Sequence, residues 1–214
     1  MEFKNITIYR ITHIENIPHI LENGITHKNS PNRNSSFKNI GDKSLIDTRS
    51  TKTVVVDNGD YQNDSKKTIT LGDFIPFYFG ARMPMLFVAQ NGGNFVEEPT
   101  AAEDIIYIGS SLNNVISNGN EFYFSDGHAT DMLTTFYDKS KINELVNIID
   151  WDAIKSAYWG GQENLNIKRK KQAEFLVLGD IAPEHIFAFG CYNDKAKLAL
   201  TSMGIDEKSI KVIP

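Results

Sequence analysis

A chain of 214 residues and 24.1 kDa is long enough for one generous core, and 41% hydrophobic with 23% charged residues is ordinary globular usage, excluding disorder and fibrous repeats. A formal net charge of -5 argues against a broad duplex-binding surface, where many phosphates would need neutralising. The single Cys191 excludes an internal disulfide, no run reaches the roughly 18 apolar residues of a membrane span, and Met1 to Arg10 lacks a signal-peptide layout. The expectation is one domain, 1–214, monomeric, cytoplasmic and away from membranes.

In chain order, Ile6 to Thr12 is rich in β-branched residues and predicts a strand. Ile17, Ile20 and Leu21 recur at helical spacing, and Asn23-Gly24 stops the helix they predict. From Thr26 to Asp73 the chain is mostly Asn, Ser, Asp, Lys and Gly apart from Thr53 to Val56, which predicts mostly loop. A loop that long in a compact domain is often functional, so it is read as a ligand-binding region able to order on binding. Phe74 to Phe79, Pro84 to Ala89, Asp104 to Ile108 and Glu121 to Phe124 suit strands. Thr130 to Tyr137 and Ile142 to Ile149 predict helices, and Asp150 is placed to cap another over Ala153 to Tyr158. Ala173 to Leu178 and His185 to Tyr192 read as strands, and Asp194 to Met203 as a helix ended by Gly204. Strands outnumber helices and the helices cluster, so the fold class is α+β with a mainly antiparallel sheet. No Gly-x-Gly-x-x-Gly follows a strand, which argues against a Rossmann site.

Glu174 is the most informative position. Ala173 to Leu178 is apolar on both alternating faces, as a central strand is, and a carboxylate there must be paired, hydrogen-bonded or catalytic. Spacing alone leaves two readings of equal weight, a catalytic carboxylate or a strand-edge residue paired with Lys170 or Lys171. Gln172, two residues earlier, would share its strand face. Arg49, in Asp47-Thr48-Arg49-Ser50, offers a donor fork for a pyrophosphate or carboxylate, although a lone loop arginine is normally just solvated. Thr12 and His13 end the first strand on alternating faces, so one ligand should not meet both. The aromatic run Phe74 to Phe79 is core in most proteins, with stacking on a nicotinamide or base as the functional option. Ser125-Asp126-Gly127-His128 reads as a turn presenting His128 at a surface; no second His or Cys stands at ligand spacing, so no metal is expected. A serine hydrolase lacks its Gly-x-Ser-x-Gly elbow. Lys168-Arg169-Lys170-Lys171 is either a phosphate patch or a solvated strand end.

Four segments in this order resemble the DarT family of DNA ADP-ribosyltransferases over nearly the whole chain. They are Tyr9-Arg10-Ile11-Thr12-His13-Ile14-Glu15-Asn16-Ile17; Phe74 to Leu86 with its Pro-Phe-Tyr-Phe and Met-Pro-Met-Leu; Phe124-Ser125-Asp126-Gly127-His128-Ala129; and Lys171-Gln172-Ala173-Glu174-Phe175-Leu176-Val177. The resemblance implies an ADP-ribosyltransferase-like fold, a split antiparallel sheet with an NAD cleft, and transfer of ADP-ribose from NAD to a base of single-stranded DNA with release of nicotinamide and no metal. It implies Glu174 as the catalytic glutamate, holding the ribose 2′-hydroxyl through an oxocarbenium-like transition state, and Arg49 as the loop arginine fixing the pyrophosphate. Glu174 would serve again as base toward the attacking nitrogen. Thr12, His13 and Asn16, with Gly24 after them, fall among the implied NAD contacts, as do Tyr78 and Phe79. The acceptor would be read by Trp159, Lys168, Arg169, Lys171 and Gln172, with His128 a further DNA or NAD contact. A toxin of this kind implies a cognate antitoxin that reverses the modification or binds the toxin. Transfer to protein, RNA or water, and a non-catalytic NAD-binding module, remain the competing readings. Family members differ in modifying thymidine or guanine, and neither the insertion 57–68 nor Gly80-Ala81-Arg82 decides between them.

Overall fold

A computed structural model of the protein describes residues 5–62, 64–92, 96 and 98–214; Met1 to Lys4 of the opening segment and Asn63 of the 57–68 insertion lie outside them. The elements run β1 (Thr7–His13), α1 (Ile17–Asn23), α2 (Lys43–Thr51), β2 (Thr53–Val56), β3 (Lys67–Thr70), β4 (Phe74–Tyr78), α3 (Pro84–Asn91), β5 (Ile105–Ser111), α4 (Leu112–Ser117), β6 (Phe122–Ser125) and β7 (Phe136–Tyr137). There follow α5 (Leu145–Ile148), α6 (Trp151–Lys155), α7 (Leu165–Lys171), β8 (Glu174–Leu178), β9 (Ile186–Cys191), α8 (Asp194–Ser202) and β10 (Ile210–Val212), with short 3₁₀ turns between. The described strands form one sheet in the order β10-β9-β5-β1-β4-β8-β6-β7-β2-β3. Pairing is antiparallel except at β9–β10 and β2–β7, so the architecture is α+β. Among the described residues no helix is long and apolar enough to cross a membrane.

Side chains alternate across a strand, and here the alternation divides the apolar residues into one large core and two smaller ones. Ile8, Ile75, Phe77, Ile106, Ile108, Phe175 and Val177 join residues of α1, α4, α5, α6 and α8 in the large core. Leu176 belongs instead to a cluster with Phe74, Tyr123 and Phe136, and Ile11 to a third cluster with Ile105, Tyr107 and Ala89. Glu174, in alternation with Phe175, points away from the large core.

The sheet is split near its middle. β1 pairs with β5 over seven residues but with β4 only at Tyr9 and Tyr78. The cause lies in β4 itself: Pro76 has no N–H to donate, and its carbonyl accepts instead from Arg10 Nη1 at 2.9 Å. Strand pairing therefore stops, and the gap opens a cleft.

Four stretches differ from their sequence-based expectation. Residues 26–73 are not mostly loop, since they hold α2 and the antiparallel β2–β3 pair. Asp42 caps α2 by accepting from Leu45 N. Pro84 to Ala89 lies in helix α3, because Pro84 sits at the helix start, where a missing N–H costs nothing, and Gly92 closes the end with φ 70°. Thr130 to Tyr137 is a turn leading into β7, held by Thr135 N donating to Asp126. The expected helix Ala153 to Tyr158 begins earlier, at Trp151, and ends at Lys155, with Asp150 capping it as expected.

Gly24, which ends α1, has φ 76°, and a Cβ there would lie 1.9 Å from the Ile181 carbonyl oxygen, in the bridge between Ile25 and Ile181. Gly119 shares the positive φ, at 79°, with nothing within 4 Å. Gly119→Ala is expected to cost about 1–2 kcal/mol from the left-handed backbone alone, and Gly24→Ala a further 1–3 kcal/mol or so from the collision. Equal losses in denaturant melts of the two variants would refute the difference.

Candidate active site

Glu174 opens β8 and is fully buried, 0% exposed, as the apolar run around it predicts. Its partner is not a neighbouring lysine. Arg49 Nη1 lies between the two carboxylate oxygens, 3.0 Å from Oε1 and 2.9 Å from Oε2. Lys170 pairs with Asp150, and Lys171 donates to the Ile154 carbonyl. Burial alone would lower the Arg49 pKa, but the charge and hydrogen bond of Glu174 outweigh it and the value rises.

Arg49 is carried by a helix, not a loop. It occupies the last turn of α2, a helix with no buried residue. The far end of α2 rests on Gly72, where a Cβ would come within 2.5 Å of the Ser50 carbonyl, and Leu71 N donates to Lys52 O. Those contacts set how far the guanidinium reaches. On the other side, Ala129 N donates to Glu174 Oε1 at 3.0 Å, and Glu174 N donates to Ser125 Oγ, which itself donates to Gly127 O. The Ser-Asp-Gly-His-Ala turn thus holds the carboxylate from both ends. Two buried atoms of the pair, Arg49 Nη2 and Glu174 Oε2, have no hydrogen-bond partner. Buried polar atoms are rarely left so, and a donor beside an acceptor fits a vicinal pair of ligand hydroxyls.

Arg49 lines a cleft of about 1940 Å³, and Glu174 lies buried behind it. Thr12, His13, Asn16, Gly24, Tyr78, His128, Trp159, Lys168 and Gln172 all line it, so Thr12 and His13 share it despite their alternation. Asn16 is spent on structure: its side chain bonds Thr12 and both the N–H and C=O of Lys38, while Asp180 accepts from His27 N and Ser30 Oγ. Together they pin the 26–42 segment along one wall. His13 Nδ1 accepts from Glu15 N, which fixes its proton on Nε2. Tyr78, its hydroxyl against Met85 Sδ, has its pKa pushed up by burial first and by Glu174 second.

Three expected residues turn away. Phe79 is core, edge-on to Trp151 and Phe175. Arg169 bonds Asp126 and Thr134, and Lys171 is 3% exposed, so neither is free to meet phosphate. Gln172 follows α7 instead of lying on β8, so the shared-face argument fails, and its amide donates to Lys168 O although it still borders the cleft. One residue was missed by the sequence. Phe87 of α3, 56% exposed, stands edge-on to Trp159 at 5.9 Å, and Lys168 Nζ lies 5.8 Å from the Trp159 ring centre. All three border the cleft. An exposed aromatic on a helix that reads as a strand left no signal. Among the described residues no group of His, Cys, Asp and Glu could hold a metal.

The fold is shared with solved ADP-ribosyltransferases, and that is the class to which this protein belongs. Thermus sp. 2.9 DarT superposes with a TM-score of 0.77 at 24% identity in its complex with ADP-ribosylated single-stranded DNA, covering 97% of this chain and 94% of that one. Its complex with carba-NAD+ gives 0.71 at 26% identity, covering 98% and 95%. The family described as "ssDNA thymidine ADP-ribosyltransferase, DarT" matches residues 9–214, and the chain belongs to this DarT family of NAD-dependent DNA ADP-ribosyltransferases. A DNA ADP-ribosyl transferase of Escherichia coli is 32% identical over 90% of this chain and 83% of its own length. A Thermosipho africanus protein, a fusion of DNA ADP-ribosyl transferase with DNA ADP-ribosyl glycohydrolase, is 28% identical over 97% of this chain and 47% of its own length.

His128 borders the pair, its Nδ1 2.7 Å from Thr130 Oγ1. Its pKa is lowered, chiefly by burial, with Glu174 opposing and Arg49 reinforcing the shift. The folded protein therefore takes up this proton less readily than the unfolded chain, whose histidines titrate near 6.5. The stability carried by neutral His128 is complete above that pH and is lost as pH falls below it. Melting temperatures between about pH 5 and 7.5 should fall more steeply for the native protein than for His128→Gln; parallel curves would contradict this.

Proposed function

We propose that this protein transfers ADP-ribose from NAD to a base of single-stranded DNA. The observation that carries this reading is the buried Arg49–Glu174 pair, with a donor and an acceptor that have no hydrogen-bond partner and with Arg49 lining the cleft. Glu174 Oε2 accepts from the 2′-hydroxyl of the nicotinamide ribose, which favours positive charge at the adjacent anomeric carbon as the bond to nicotinamide breaks. Arg49 fixes the orientation of that carboxylate. Thr12, His13 and Gly24 border the donor side. Phe87, Trp159 and Lys168 form the acceptor side, two aromatic faces and a cation suited to stacked bases and their phosphate. The family description names thymidine as the base, and that is the acceptor favoured here over guanine. The fused glycohydrolase of the Thermosipho relative supports a toxin role, with a partner that removes the adduct acting as antitoxin inside the same cell.

The test is mass spectrometry of short oligonucleotides of varied sequence after incubation with NAD. The expected product carries one ADP-ribose on thymidine. Glu174→Gln is expected to lower the rate by at least about 10²-fold. Modification confined to protein or RNA would overturn the reading. Trp159→Ala and Phe87→Ala, one partner each, are each expected to weaken oligonucleotide binding by roughly 1–3 kcal/mol while leaving NAD affinity unchanged, checked by fluorescence titration.

A further inference from the structure

Sequence reasoning gave the donor pyrophosphate to Arg49, yet the structure spends that guanidinium on Glu174. A dianion in the cleft needs another cation. Lys38 is paired with Glu15, and Lys168 lies over Trp159. Lys28, Arg33 and Lys43 line the wall formed by the 26–43 segment, whereas Arg10 is the cleft-lining cation whose charge interacts with the Arg49–Glu174 pair. It rises from β1 into the split, borders the cleft, and donates from Nη1 to the Pro76 carbonyl. Among the described residues no carboxylate forms an ion pair with it. A guanidinium has five N–H donors in a planar fork, and the bond to Pro76 uses one of them in a side chain that lines the cleft.

Two arginines beside a single glutamate leave one positive charge uncompensated. Burial pushes the Arg10 pKa down, Tyr78 and Glu174 oppose this and Arg49 adds to it, in contrast with Arg49, whose value is raised. A desolvated cation without a counter-ion is costly unless a ligand supplies the charge. We propose that Arg10, anchored on Pro76 at the sheet split, is the binding residue for the donor's pyrophosphate, leaving Arg49 to position Glu174. This rests on the ADP-ribosyl transfer proposed above.

The test compares a ligand that has the pyrophosphate with one that lacks it. Calorimetric titration of ADP-ribose and adenosine is made on the native protein, Arg10→Gln and Arg10→Lys. Loss of the charged fork is expected to weaken ADP-ribose by about 10- to 100-fold in Arg10→Gln, and by less in Arg10→Lys, which keeps the charge and a donor for Pro76. Adenosine affinity should be unchanged in both. Undiminished ADP-ribose affinity overturns the inference, and so does an equal loss for adenosine, which would mark Arg10 as a structural plug of the split. If Arg10→Gln does not fold, the same two outcomes in Arg10→Lys decide. A native protein that binds ADP-ribose but modifies no DNA overturns the transfer reaction alone; one that modifies DNA while Arg10→Gln keeps full ADP-ribose affinity overturns the Arg10 role alone.

Discussion

The contact between Arg49 and Glu174 is the constraint around which the rest of the molecule is arranged. A carboxylate with 0% exposure and a guanidinium with 15% have both given up most of their hydration, and such a pair seldom repays that loss in stability. What holds it is structure on either side. α2 is capped by Asp42 and seated on Gly72, and the turn after β6 supplies the Ala129 N–H and the Ser125 hydroxyl. The reward is orientation: a carboxylate with Oε1 hydrogen-bonded twice and Oε2 met only by the Arg49 charge is aimed before any ligand arrives.

The basic run on α7 shows how composition can mislead about electrostatics. Four consecutive cations suggest a phosphate-binding strip, but a helix distributes them around its circumference. Arg169 crosses to Asp126 and Thr134, and its carbonyl accepts from His128 N, bolting α7 to the turn that holds Glu174. Gly127 makes room for this crossing, since a Cβ would lie 2.4 Å from Arg169 Nη1 and displace it. Lys170 and Lys171 secure α6 in the same way, through Asp150 and the Ile154 carbonyl. Only Lys168 keeps a place at the cleft. The overall charge of -5 is compatible with this, since just one of these four cations borders the cleft, beside the Trp159 ring.

Much of the fold was legible because strand periodicity and glycine stops are local signals. β1, β4, β5, β6, β8, β9, α1 and α8 lie where the apolar patterns put them, and the burial of Glu174 followed from apolar residues on both strand faces. What escaped was non-local or sat in weakly patterned sequence. α2 has no apolar stripe because it buries nothing, so its helix was invisible to periodicity. Lys170 and Lys171 attracted attention as partners of Glu174 by nearness in sequence, whereas the true partner is 125 residues away. α3, with Met, Leu, Phe and Val in succession, satisfied a strand pattern equally well, and only Pro84 at its first position argued otherwise.

Proline is ordinarily avoided inside a sheet for what it cannot do, and in β4 that inability has a topological effect. A continuous ladder between β1 and β4 would need the N–H that Pro76 lacks, and the pairing is confined to Tyr9 and Tyr78. The opening of the groove is thus supported by covalent structure, and a ligand entering beside Pro76 meets a carbonyl already held by Arg10.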